Sequence, residues 1–374
     1  MTKILLVANT DWYLFRFRLL LAKHLRTQGM EVVFVSPSGK YVQDIKANGF
    51  RWIEWSVGRQ TINPFGELQS ILRLMRIFQN EQPSLVHLHT IKPVLYGSMA
   101  ARFVKLSAVV RSITGRGYVF LGNDLRAKIL RPLVKGIYRL MLNADTGATI
   151  FENQTDRQFF LDESLIHPDR SLIIEGVGVD TDYYSPLPEP EGVPAVLMAG
   201  RLLWDKGVGV FVEAARLLKQ KMEVRFILVG EVDPGNPASI ELDVVQGWVA
   251  DGSVEWWGWQ SDMRVAFSAS QLVALPSLGE GIPTILLEAA ACGRPIVATN
   301  VPGCRDVVQD EVNGLLVPPN DPVMLASALA QLLTNPLLRS KMSKQTRLLA
   351  EQRFSSKHII DQTQKLYLEL LDGG

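Results

Sequence analysis

The sequence predicts an α/β protein of two doubly wound, Rossmann-like domains facing a central cleft. Three observations predict it. Short apolar, β-branched runs alternate with helical patterns, the alternation restarts after a Pro-, Gly- and acid-rich stretch, and 374 residues suit two domains of roughly 100 to 200 each. The first half supplies "KILLVAN", "EVVFVS", "WIEWSV", "SLVHLH", "AVVRSI", "GATIFEN" and "LIIEG" as strands. The interruption is "EGVGVDTDYYSPLPEPEGVP", which sets a boundary near residues 176 to 194. Beyond it follow "AVLMAG", "VRFILVG", "SVEWWG", "LVALPS", "PIVAT" and "GLLVPP". The domains are therefore drawn as 1–180 and 181–354, with a last helix over 355–374 that packs back on the first domain.

Composition excludes several classes. With a net charge of +1 and 21% charged residues, no global field recruits nucleic acid, and an anion must be held by a local cluster. Two cysteines, Cys292 and Cys304, are too few for a disulfide framework and lack metal-ligand spacing, as a reducing cytoplasm allows; both are expected to pack. "MTKILLVANTDW" reads as a first strand and not a signal peptide, and no apolar run approaches the ~18 residues of a membrane span. The expected location is cytoplasmic, against the inner face of a membrane.

The chemistry concentrates in "SLGEGIPTILLEAAACGRPIV", residues 277 to 297. A strand ends at Ser277, a Gly-containing turn carries Glu280 and Gly281, and Pro283 is expected at the first helical position, where its missing N–H costs nothing. The helix is drawn from about Pro283 to Cys292. Its free amides, near Thr284 and Ile285, and its positive dipole end suit a diphosphate. Glu288, more than a turn further in, would be repelled by phosphate but suits the two hydroxyls of a ribose. Glu280 reaches past the phosphates toward a sugar. "AGRLLWDKGV" places Arg201 and Lys206 in a loop directly after a strand, two cations able to neutralise a departing diphosphate without a metal.

Taken with "NGLLVPP", the Glu-x7-Glu pattern and "GRLLWDKG" resemble the family 4 retaining glycosyltransferases of the GT-B fold, over nearly the whole chain and most strongly from 195 to 335. The resemblance implies that Glu288 binds the nucleotide ribose, that Glu280 contacts the donor sugar, and that Arg201 and Lys206 hold the diphosphate. "YLFRFRL", "TINPF", "LLWDKG" and "VGEVDPGNPAS" are similar to bacterial transferases that extend lipid-diphosphate-linked oligosaccharides, among them the N-acetylgalactosaminyltransferase of N-glycosylation and capsule enzymes. The implied partners are a UDP-sugar donor, an undecaprenyl-diphosphate-linked saccharide acceptor and an anionic membrane face, with no nucleic acid and no metal cofactor. In the capsule branch a histidine stands where "SITGRGYVF" has Thr114, which cannot titrate as imidazole does. His89, with Lys92 just after it, borders the same expected acceptor crevice.

Several features have plainer readings. Glu280 and Glu288 are otherwise a turn acid and a surface acid, and Arg201 and Lys206 solvated loop charges. His87 and His89 share a strand face but lack a third metal ligand. Asp180-Thr181-Asp182 imitates an Asp-x-Asp metal motif in the wrong place, and "GRGYVF" is a broken dinucleotide fingerprint. Over 125–142, Lys128, Arg131, Lys135 and Arg139 form a basic stripe opposite Leu130, Leu133, Ile137 and Met141, fit for anionic lipid or for solvent, with Pro132 able to shorten the helix. "DWYLFRFR" mixes four aromatics with Arg16 and Arg18 and is read as an acceptor-clamping loop. The rival functions are a nucleotide-sugar 2-epimerase or a phosphorylase of the same outline, and a non-catalytic sugar-binding protein.

Overall fold

Every strand read from the sequence is a strand in the computed structural model, which describes residues 2–58, 64–115, 120, 125–143 and 147–372. Two units divide the chain: Met1–Val177 with Ile359–Gly374, and Gly178–His358.

The first unit holds β1 (Lys3–Val7), β2 (Glu31–Ser36), β3 (Arg51–Glu54), β4 (Leu85–His89), β5 (Val109–Ile113), β6 (Gly147–Phe151) and β7 (Ser171–Ile173). Its helices are α1 (Asp11–Thr27), α2 (Val42–Ala47), α3 (Pro64–Glu81), α4 (Ile91–Phe103), α5 (Leu125–Leu142) and α6 (Gln154–Asp162). The second unit holds β8 (Ala195–Ala199), β9 (Arg225–Val229), β10 (Glu255–Trp256), β11 (Leu272–Leu275), β12 (Ile296–Thr299) and β13 (Gly314–Val317). Its helices are α7 (Val208–Lys219), α8 (Leu242–Ala250), α9 (Met263–Ser268), α10 (Thr284–Ala291), α11 (Cys304–Val307), α12 (Pro322–Leu333) and α13 (Pro336–Arg353), before α14 (Ser356–Asp372) carries the chain back into the first unit.

Among the described residues all strand pairs are parallel, in the orders β3-β2-β1-β4-β5-β6-β7 and β10-β9-β8-β11-β12-β13. Strands such as β1 and β8 read as unbroken apolar runs because helices cover both sheet faces. In each unit the order reverses once, between β1 and β4 and between β8 and β11. Connections there leave on opposite faces, so a crevice opens at the carboxyl ends of those two strands.

Two sequence expectations change here. "DWYLFRFR" is not a loop but the start of α1, which Thr10 caps by accepting from the Tyr13 amide at 3.2 Å, with Asp11 in the first turn complementing the dipole. Arg18 lies inside, donating to the Tyr13 hydroxyl at 3.0 Å, while Arg16 is exposed on the opposite side. Helix α5 runs through Pro132, and its basic stripe is partly spent: Lys135 pairs with Glu163 at 2.5 Å and Arg139 donates to the Ser164 and Glu163 carbonyls. Those groups follow α6, whose carboxyl end attracts cations. Leu133, expected to face the core, is instead 63% exposed, in line with Ile129 at 67% and Leu140 at 58%.

Candidate active site

The crevice of the second unit gathers the charged residues. Gly200 and Arg201 follow the end of β8, and a 3-10 turn at Trp204–Lys206 leads to Gly207, the left-handed entry to α7 at φ 75°. A Cβ on Gly207 would overlap the Pro276 carbonyl oxygen, so glycine lets this turn lie directly against the end of β11. The stretch after β11 is stapled to the same turn: the Leu278 amide donates to the Asp205 carbonyl at 2.9 Å and the Ser277 hydroxyl to the same carbonyl at 3.2 Å. From the other side, Gly303 at φ 81° permits contact with the Gly281 and Glu280 carbonyls, and the Glu280 amide donates to Pro302 at 3.3 Å.

This bracing brings Lys206 and Glu280 together across 74 residues of sequence: the ammonium meets both carboxylate oxygens, at 2.5 and 2.6 Å. An ammonium carries three donors, so one remains for an incoming anion. Arg201 leans the other way. Its Nη1 donates to Asp233 at 2.8 Å, on the loop after β9, while the side chain stays 52% exposed.

Helix α10 begins one residue later than expected. Pro283 is the N-cap, with ψ 111°, and its carbonyl accepts from Leu286 and Leu287. The Thr284 and Ile285 amides ahead of those have no acceptor among the described residues, and both side chains are half-buried. That leaves two N–H groups at a positive helix end for an anion. Glu288 sits on the next turn, only 7% exposed, in a helix otherwise buried by Leu286, Leu287 and the alanines that follow. A carboxylate so enclosed needs polar company. Both cysteines pack beside this region; burial pushes the Cys292 thiol up to about 12 and the Cys304 thiol higher still, so neither is a ready nucleophile.

The crevice of the first unit is built differently. His89, at the end of β4, has no exposed surface, and neither ring nitrogen has a hydrogen-bond partner among the described residues. Its ring lies tilted against that of His87, with centroids 3.8 Å apart and 43° between the planes. His87 spends both nitrogens, on the Tyr367 hydroxyl of α14 at 2.5 Å and on Ser112 at 2.7 Å. Burial, with the Arg18 charge nearby, holds both imidazoles well below their ordinary pKa. Lys92 is ion-paired with Glu67 at 2.6 Å and also donates to the Gly58 carbonyl. Thr114 is half-buried just after β5; most of "GRGYVF", like most of "TINPF", lies outside the described residues.

Asp180, of the Asp-Thr-Asp triplet, accepts from the Asp182 and Tyr183 amides and so caps a turn. Among the described residues no group of three or more His, Cys, Asp or Glu is placed to hold a metal, and no helix is long and apolar enough to cross a membrane. Sequence reasoning missed Asp233, Glu67, Gly207 and Gly303. The glycines of "DKG" and "VPG" were visible as turn signals, and Asp233 stood inside the quoted "VGEVDPGNPAS"; Glu67 carried no signal.

Family models match both halves: a glycosyl transferase 4-like model over residues 3–151 and a glycosyl transferases group 1 model over residues 193–335. The chain belongs to the glycosyltransferases. This glycosyltransferase is 27% identical over 344 residues to the N,N'-diacetylbacillosaminyl-diphospho-undecaprenol alpha-1,3-N-acetylgalactosaminyltransferase of Campylobacter jejuni, across 88% of this chain and 89% of that protein. It is 24% identical to the UDP-Gal:alpha-D-GlcNAc-diphosphoundecaprenol alpha-1,3-galactosyltransferase of Escherichia coli, across 83% of this chain and 82% of that one. Among solved structures, Anabaena HepE in complex with UDP and glucose is similar at TM-score 0.80 and 18% identity, covering 98% of this chain and 99% of that one. Sucrose-phosphate synthase from Thermosynechococcus elongatus is similar at TM-score 0.81 and 22% identity, with both chains fully covered. Those two likenesses show the fold of two doubly wound domains.

Proposed function

We propose that this glycosyltransferase moves a hexose or N-acetylhexosamine from a UDP-sugar to an undecaprenyl-diphosphate-linked saccharide, with retention at the donor carbon. The second unit takes the donor and the first receives the acceptor. The observation that carries the reading is the Lys206–Glu280 pair beside the open Thr284 and Ile285 amides, at the crevice of the second unit. There the amides, Lys206 and Arg201 meet the diphosphate, Glu288 the ribose diol and Glu280 the sugar. Cationic groups fixed beforehand stabilise the leaving diphosphate as its charge grows. The names of the two relatives, each giving an α-1,3 linkage on a diphospho-undecaprenol saccharide, support the acceptor class and retention.

The test incubates the protein, in excess EDTA, with radiolabelled UDP-galactose or UDP-N-acetylgalactosamine and undecaprenyl-diphosphate-linked mono- and disaccharides. A longer lipid-linked glycan in α linkage is expected. Epimerised free donor, or UDP-sugar binding without turnover, would favour the 2-epimerase or the sugar-binding rival, and a strict magnesium requirement would remove the metal-free diphosphate site.

An acceptor of this kind lies in a membrane, and α5 supports peripheral attachment to its cytoplasmic face. At 100° per residue, Ile129, Leu133 and Leu140 fall within about 40° of one another, an apolar line of the kind that beds into the headgroup boundary. Lys128, exposed, lies about 100° round the helix from Ile129.

A further inference from the structure

Arg201 is held by the loop that the sequence writes as "VGEVDPGNPAS", residues 229 to 239. After β9 the chain returns along the Arg201 segment: Leu202 donates to the Glu231 carbonyl at 2.9 Å, Trp204 to Ala238 at 2.8 Å and Ile240 to Leu202 at 3.0 Å. Between those rungs the loop staples itself. The Asn236 amide donates to the Asp233 carbonyl at 2.9 Å, the Asp233 amide to the Ser239 hydroxyl at 3.0 Å, and the Ala238 amide to the Asn236 side chain at 3.0 Å. Asn236 Nδ2 also approaches Asp233 Oδ2, at 3.4 Å. The same Oδ2 takes Arg201 Nη1 at 2.8 Å, and the Asp233 side chain is only 15% exposed.

We infer that Asp233 is a positioning residue for group transfer: its carboxylate fixes the Arg201 guanidinium in the attitude that meets the departing diphosphate. The inference rests on the diphosphate role proposed for Arg201. A long side chain on a half-exposed loop otherwise loses rotamer freedom each time it engages a ligand. Here the ordering is done before the donor arrives, by an acid anchored through three backbone and side-chain bonds to Asn236 and Ser239. One Nη1 hydrogen is used, and the rest of the fork stays available. The arrangement also has a signature. Asp233 sets a negative charge near the bound diphosphate, so it opposes ground-state binding of UDP while improving the aim of the group that acts as leaving-group charge develops.

The experiment compares Asp233→Asn, Arg201→Ala and the double variant, with UDP affinity by calorimetry and kcat and KM for whichever of UDP-galactose and UDP-N-acetylgalactosamine supports transfer. Asp233→Asn is expected to lower kcat about tenfold while UDP binds as well as before or more tightly, and the double variant to be no slower than Arg201→Ala alone. Additive losses in the double variant, or weaker UDP binding at unchanged kcat, would overturn the inference and leave Asp233 a loop staple. Full turnover in Arg201→Ala would sink the role of Arg201 and that of Asp233 with it, so the two failures are distinguishable.

Discussion

The two crevices share a topology and differ in what the chain has put there. In the second unit, the ends of β8 and β11 carry an exposed Arg201 and the part-buried Lys206–Glu280 pair, braced by close-packed glycines. In the first unit, the ends of β1 and β4 carry Asp11, which accepts from the Tyr41 amide at 2.7 Å, and the sealed pair of His87 and His89 with the Arg18 charge nearby. One edge presents charge; the other consumes it. The strand order says where a ligand can bind, and only exposure and pairing say whether the residues there are free to bind it.

The comparison can be broken most sharply at Glu280. Glu280→Gln keeps the shape but releases Lys206, and turnover is expected to fall about 100-fold with UDP affinity little changed; normal turnover would mean that the open edge is not the reactive one. Next in size, Glu288→Ala is expected to weaken UDP binding by about 1.5 to 3 kcal/mol, roughly 10- to 150-fold, if a charged hydrogen-bonding pair to ribose is lost. Calorimetry with UDP alone decides this.

The sealed edge makes the opposite prediction, in stability and not in rate. Unfolded histidine titrates near 6.5, whereas His87 and His89 do so well below it, because burial disfavours the charged rings. Unfolding therefore takes up protons as the pH drops below about 6.5, and the first unit loses about 1.4 kcal/mol per pH unit for each buried ring, with no such loss above that pH. Melting curves between pH 7.5 and 5.5 should show the slope in the wild type and a shallower one in His89→Leu, whose turnover should stay within about threefold. A large loss of turnover there would put His89 back at the substrate. The smallest effect is expected at the surface. Leu133→Asp should reduce sedimentation with phosphatidylglycerol vesicles severalfold and leave UDP affinity alone, since a charge replaces about one buried side chain of apolar contact.

Much of the fold was legible because parallel strands covered on both faces leave apolar runs that need no partner to be seen. The site was legible in part for a similar reason: Glu280, Thr284 and Glu288 lie within one strand-turn-helix stretch. What the sequence hid was pairing at a distance. Asp233 lies 32 residues from Arg201, and Glu163 lies 28 from Lys135, and nothing local announces either. In α5 the helical period correctly sorted the residues into stripes, yet the choice of which stripe faces solvent belonged to Glu163 and the end of α6. In α1, the aromatic and arginine-rich composition masked the capping signal of Thr10 ahead of Asp11.

Helix α14 closes the core of the first unit with Ile359, Leu366 and the fully buried Tyr367. Because those residues leave the ribosome after every residue of the second unit, the amino-terminal sheet waits through the making of its neighbour before its last wall arrives. Vectorial synthesis thus leaves the newborn first unit with an uncovered apolar face, and anything fused behind Asp372 weighs on the domain that was translated first.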